Sequence, residues 1–189
     1  MSRRLATTAL LAAALAATPV GASMAQPAQI LGRHADACRP GSNAPAALLV
    51  TIVGLKSREG AVRVEVYPPN EADWLADKNK LLAEGKTFAR GYGDVPASGP
   101  VMVCVELPAP GRYAFTVLHD PDGNRGFNWR TDGVGFPGDP RIGMGRPPVS
   151  VATVTLRPGV NAFRVRLNYL RGLRFAPVDR PADDAVASR

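Results

Sequence analysis

Gly60-Ala61-Val62-Arg63-Val64-Glu65-Val66-Tyr67 alternates apolar and polar side chains without a break. Successive side chains of an extended chain point to opposite faces, so Val62, Val64 and Val66 face one way and Arg63, Glu65 and Tyr67 the other. This is the pattern of a half-buried β-strand, and it recurs on both sides. Upstream, Leu48 to Gly54 is apolar and β-branched, and Lys56 to Gly60 between the two runs has the length and composition of a hairpin loop. Downstream, Lys86 to Tyr92 is a weaker strand and Val101 to Leu107 a strong one, with Val101, Val103, Val105 and Leu107 on one face and Cys104 on the other. Gly111 to His119 follows the turn Pro108-Ala109-Pro110-Gly111. Val149 to Leu156 and Val160 to Leu170 are joined by Arg157-Pro158-Gly159, and Phe163, Val165, Leu167 and Tyr169 share a face of the last strand. One helix is predicted after Pro68-Pro69, with Asn70 as its cap, Glu71 and Asp73 in its first turn and Gly85 as its stop. Its Trp74 reads as a packing anchor beside Leu81 and Leu82. About seven short strands, many Gly and Pro turns and one minor helix predict an all-β antiparallel sandwich over residues 46–170.

The ends of the chain set the expected compartment. Arg3 and Arg4 precede an apolar run from Leu5 to Ala17, and Ser23-Met24-Ala25 offers small residues for cleavage before Gln26. Residues 1–25 therefore read as a signal peptide. Pro19 and Gly21 break the run before it reaches the ~20 residues of a spanning helix. A periplasmic or secreted address follows, with no stable membrane insertion after cleavage. Residues 26–45 read as an extended arm and residues 171–189 as a loose charged tail. The chain has two cysteines, Cys38 and Cys104, and an oxidising compartment favours their pairing. The formal charge is +7; without Arg3 and Arg4 the side chains are 21 basic and 16 acidic, or +5. That excess is modest, and an exported address argues against nucleic acid as a partner. Arg63, Arg164 and Arg166 lie on predicted outward faces and read as solvated charge that discourages sheet-to-sheet association.

Asp120 to Pro148 departs from this regularity. A loop of this length without period is uncommon in a compact domain and is usually functional or disordered. It is rich in Gly yet carries Phe127, Trp129, Phe136 and Ile142, which predicts that it packs. It opens with His119-Asp120-Pro121-Asp122-Gly123-Asn124-Arg125, whose alternating Asp, Asp and Asn imitate the first half of a calcium loop. The imitation stops at Arg125, where such a loop requires Gly, and at Thr131, where it requires Glu. The favoured reading is a turn bonded to its own backbone. Asp120, Asp122, Asn124 and Asn128 are the alternative ion donors. His119 reads as a strand-end histidine bonded to a loop carbonyl, and less readily as a general base beside Asp120, because no nucleophile is marked nearby.

In order and spacing these segments resemble an exported bacterial family known only as domain of unknown function 2141. The likeness rests on the run Leu48 to Val64, on Leu107-Pro108 through Gly111-Arg112-Tyr113-Ala114-Phe115 into His119-Asp120 and Gly123-Asn124, on Gly133-Val134-Gly135-Phe136 and on Arg146-Pro147-Pro148. It spans about Leu48 to Tyr169 and implies an immunoglobulin-like or prealbumin-like sandwich in the cell envelope, with no established reaction. Arg125 and Asn128 depart from the pattern, and the segment before Gly133 is shortened.

Three functions compete on these residues. The leading expectation is a non-catalytic module that binds or scaffolds an envelope protein or glycan through the 120–148 loop, using His119, Asp120, Asp122, Asn124, Trp129 and Phe136. The second is a calcium-dependent module built on Asp120, Asp122, Asn124 and Asn128. The third is a hydrolase using His119 with Asp120. No cofactor other than calcium is indicated.

Overall fold

The computed structural model describes residues 28–183. The segment 1–25 expected to be a signal peptide, the first two residues of the arm and the last six of the tail lie outside the described residues. The strands run β1 (Ile30–Leu31), β2 (Ala46–Val53), β3 (Ala61–Tyr67), β4 (Ala89–Asp94), β5 (Val101–Leu107), β6 (Gly111–Asp120), β7 (Gly133–Gly135), β8 (Thr153–Leu156), β9 (Gly159–Arg166), β10 (Tyr169–Arg171) and β11 (Arg174–Ala176), with one α-helix among the described residues, α1 (Lys78–Ala83). The expected strands form as β2, β3, β4, β5, β6, β8 and β9, except that the run from Val149 opens with a 3-10 turn at Val149–Val151 and the run from Val160 leaves its sheet after Arg166. The others are pieces of two or three residues.

The strands form a sandwich. One sheet has the order β1-β5-β2-β9 and the other β4-β3-β6-β7, with β8 also on β6; β10 and β11 make a separate hairpin. The alternation explains the packing. Leu48, Val50 and Ile52 of β2, Val62, Val64 and Val66 of β3, Val101, Val103, Val105 and Leu107 of β5, and Phe115 and Val117 of β6 fill the space between the sheets. Each such side chain, fully removed from water, contributes roughly 1.5–3 kcal/mol.

The connections differ from the expectation. Lys56–Gly60 is not a hairpin loop: β2 pairs with β5 and β9, while β3 pairs with β4 and β6 in the other sheet. The short links from β5 to β6 and from β8 to β9 also cross between sheets. A one-sided apolar pattern lets consecutive strands meet face to face across the core as readily as edge to edge, and turn residues specify only the reversal. The first sheet is also mixed, because β9 runs parallel to β2 and β1 parallel to β5. Arg63 therefore belongs to one sheet and Arg164 and Arg166 to the other, so they make no common patch.

The helix is shorter than its sequence signals. Asp77, not Asn70, caps α1, its carboxylate accepting from the amides of Asn79 and Lys80. Asn70 instead closes a separate turn by accepting from the Asp73 amide, and Leu75 leaves that turn in the left-handed region at φ 57°. Trp74 on that turn is buried as an anchor; its indole N–H donates to the Pro147 carbonyl at 3.0 Å. Leu81 is buried and Leu82 is exposed.

Both ends of the domain are tied down. Cys38 and Cys104 form a disulfide with Cα atoms 5.9 Å apart, on the side of β5 away from the core. The tail is not loose as far as Asp183: β10 and β11 pair, and the Asp183 carboxylate accepts from the amides of Gly54 and Leu55, each at 2.9 Å. Among the described residues no helix is long and apolar enough to cross a membrane.

Candidate functional site

The outer face of the second sheet carries a partly buried polar floor. Arg63, Glu65 and Tyr67 on β3 stand beside Thr116 and Leu118 on β6. Glu65 is 5% exposed, and its carboxylate accepts from the Tyr67 hydroxyl at 2.6 Å and pairs with Arg90. Arg63 Nε lies 3.5 Å from the same carboxylate, without hydrogen-bond geometry, and the Arg63 guanidinium reaches the carbonyls of Arg125 and Gly126. Burial, reinforced by the neighbouring Glu65 charge, pushes the Tyr67 phenol pKa well above its ordinary value.

The long loop and the Trp74 turn rise around this floor. Phe136 and Ile142 pack inward with Trp74 and Val134, whereas Phe127, Trp129 and Met144 remain exposed, at 52%, 42% and 52%. Leu75 completes the rim at 39% exposure. These side chains border a groove with a volume of about 450 Å³. The Arg130 guanidinium lies 4.8 Å over the Trp129 ring. Of the two aromatics expected to act alike, Trp129 presents surface and Phe136 supports it.

His119 and Asp120 share the end of β6 but not a face. Both nitrogens of the fully buried His119 ring are engaged, Nε2 with the Glu59 carbonyl at 2.9 Å and Nδ1 with the Tyr169 hydroxyl at 2.6 Å. A carbonyl only accepts, so Nε2 carries the proton and Nδ1 accepts from Tyr169, whose oxygen in turn accepts from the Lys56 amide. Burial pushes the imidazole pKa down, against the opposing pull of the Glu59 carbonyl and the Asp132 and Asp120 charges. This is the carbonyl-bonded histidine of the sequence reading, and it makes no hydrogen bond to Asp120.

The acidic turn sorts into two groups. Asn124 Oδ1 accepts from the Gly126 amide and Asn128 Oδ1 from the Arg130 amide, so both asparagine oxygens hold local turns. Asp120 and Asp122 are joined instead by Asp132, and one carboxylate oxygen from each of the three lies within 4.8 Å of the others. The donor group thus keeps two of the four expected residues and adds one that was not among them.

A family model described as an uncharacterized protein conserved in bacteria (DUF2141) matches residues 50–163, more than half of the chain. The chain belongs to this family. No curated protein and no solved structure matches it.

Within this DUF2141 domain the groove and the acidic trio both adjoin β7, Val134 and Phe136 lining the groove and Asp132 standing just before the strand, and β7 explains the G-V-G-F motif. A Cβ on Gly133 would stand 2.6 Å from the Tyr169 ring, and one on Gly135 2.6 Å from Val165 and 2.7 Å from the Arg166 carbonyl. Only glycine lets β7 lie between β6 and the β9–β10 segment, with Val134 and Phe136 turned into the groove wall. Leu75, Met144 and Glu65 escape sequence reading because each belongs to a different segment. Asp132 had one available signal, its place immediately before the Gly133 strand.

Proposed function

We propose that this DUF2141 domain is an exported, non-catalytic binding module whose groove takes an apolar segment of a partner envelope protein. One observation carries the reading: Leu75, Phe127, Trp129 and Met144, drawn from three stretches of chain, leave their apolar surface exposed around a single groove of ligand-binding size. A protein segment is favoured over a glycan because sugar hydroxyls need free polar partners, whereas Glu65, the terminal nitrogens of Arg63 and the Trp74 indole already bond within the domain. The absence of a catalytic role rests on His119, whose two ring nitrogens are both bonded internally. Export rests on the N-terminal sequence, and the disulfide fits an oxidising compartment.

Photo-crosslinking residues placed in living cells at 127, 129 and 144, with Val160 on the opposite sheet as control, test the reading. The expected result is one protein adduct shared by the groove positions and missing at 160. No adduct from the groove, or the same adducts from 160, overturns it.

A further inference from the structure

The antiparallel register of β6 and β7 pairs His119 with Gly133, so the next position sets Asp120 opposite Asp132. Like charges facing each other across a strand pair repel. Here both are buried, Asp120 at 5% exposure and Asp132 at 2%, and Asp122 joins them from the exposed side. None of the three is in an ion pair among the described residues. Asp132 is satisfied by the Asn128 amide and the Thr131 hydroxyl, and Asp120 Oδ2 by the Arg125 amide. Asp120 Oδ1 is different. It is out of contact with water and has no hydrogen-bond partner. Arg63 and Arg125 line the adjoining cavity with Asp120, but the Arg63 guanidinium is spent on loop carbonyls.

A buried charged oxygen without a partner is costly unless something neutralises it. We propose that Asp120, Asp122 and Asp132 form a calcium site, with Asp120 Oδ1 as its innermost donor. The donors are hard carboxylate oxygens. The nearest soft donors are unavailable, since both His119 nitrogens are bonded and both cysteines are in the disulfide. Coordination preference separates calcium from magnesium: calcium takes six to eight oxygens in flexible geometry, which three carboxylates from a turn and a strand end can begin, whereas magnesium demands a near-ideal octahedron and dehydrates reluctantly. Water on the Asp122 side would complete the shell. Because residues 121–131 leave and return at these carboxylates, the ion would clamp both ends of the loop that carries Phe127 and Trp129. The site stands whether or not the groove takes a partner.

Calorimetric titration of the chelator-treated mature protein with calcium and magnesium chloride, together with thermal unfolding, tests the site. One calcium per chain is expected, with a Kd of about 0.1–1 mM, the range of extracellular calcium modules, and weaker magnesium binding. Calcium should raise the unfolding temperature and change Trp129 emission. Asp122→Ala, at an exposed position that leaves the core intact, should weaken binding at least about tenfold. Asp120→Asn should abolish the calcium-induced rise yet unfold at a higher temperature than wild type in chelator, because it removes one of two facing buried charges. A cap that served only the Arg125 amide would give the reverse in chelator and no calcium response in either protein. Absence of binding up to about 10 mM calcium, equal binding of magnesium, or unchanged affinity in Asp122→Ala overturns the proposal.

Discussion

The outer faces of the two sheets are covered in contrasting ways. Over the first sheet the arm lies on small side chains, with Ala37 and Cys38 packed on Ala47 and Cys104 and the contact fixed by a disulfide. Over the second sheet the cover is assembled from the Trp74 turn and the long loop, whose Trp74, Phe136 and Ile142 meet Tyr67, Leu118 and Val134 without any covalent link. Small residues drawn together by a covalent bond form a buried cluster of their own. Large side chains converging from separate segments touch at a few points, such as the edge contact of Tyr67 and Trp74 at 5.3 Å, and leave the groove between them. One cover is built for permanence and the other for contact.

This contrast can be broken experimentally. The largest expected effect is removal of the disulfide. Cys38→Ala with Cys104→Ala opens a loop with a sequence separation of 66 residues, which the chain-entropy estimate values at about 4 kcal/mol of stability. Denaturant titration should show that loss while groove crosslinks persist; loss of the crosslinks would mean that the covers are not independent. Next is Gly133→Ala, which drives a methyl into the Tyr169 ring and should destabilise by roughly 1–3 kcal/mol. Here the groove wall should loosen too, read as greater exchange of the Val134 and Phe136 amides.

A smaller effect appears only in alkali. Burial beside Glu65 keeps Tyr67 protonated in the folded chain well above pH 10, whereas the unfolded chain loses that proton near pH 10. The folded state then binds more protons, so stability falls as pH rises past 10, by at most about 1.4 kcal/mol per pH unit for this one group. Tyr67→Phe should flatten that part of the profile, and a wild-type slope in the variant would reject the assignment. The smallest change belongs to Trp129→Ala. Trp129 lies on the rim at 42% exposure and outside the buried clusters, so stability should stay within about 0.5 kcal/mol of wild type while groove adducts disappear.

Local order was readable in the sequence where a single periodicity governs burial. Val62, Val64 and Val66, and Val101 through Leu107, landed on the faces that their alternation predicts. Neighbour relations were less legible. Nothing in Lys56–Gly60 distinguishes a turn within a sheet from a corner between sheets, since the same residues reverse the chain in either case. The anchoring role of Trp74 was readable, but the helix start was not, because Asn70 and Asp77 are both good caps and the left-handed Leu75 separates them. At the acidic turn, a template of fixed spacing looks for its last donor at Thr131. Asp132 arrives one residue later, carried by strand pairing, which no spacing rule within the loop encodes.

The parallel ladder of β2 with β9 has a consequence for when the domain can form. Ala46 pairs with Leu107 on one side but finds its neighbour on the other only at Gly159, so one side of β2 stays unpaired until nearly the whole chain is present. Contacts this distant in sequence close slowly, because a long loop must be ordered before any ladder bond rewards it. A chain interrupted before β9 would leave the edge of β2 open to other strands, so synthesis and folding of this domain are separated in time by its own topology.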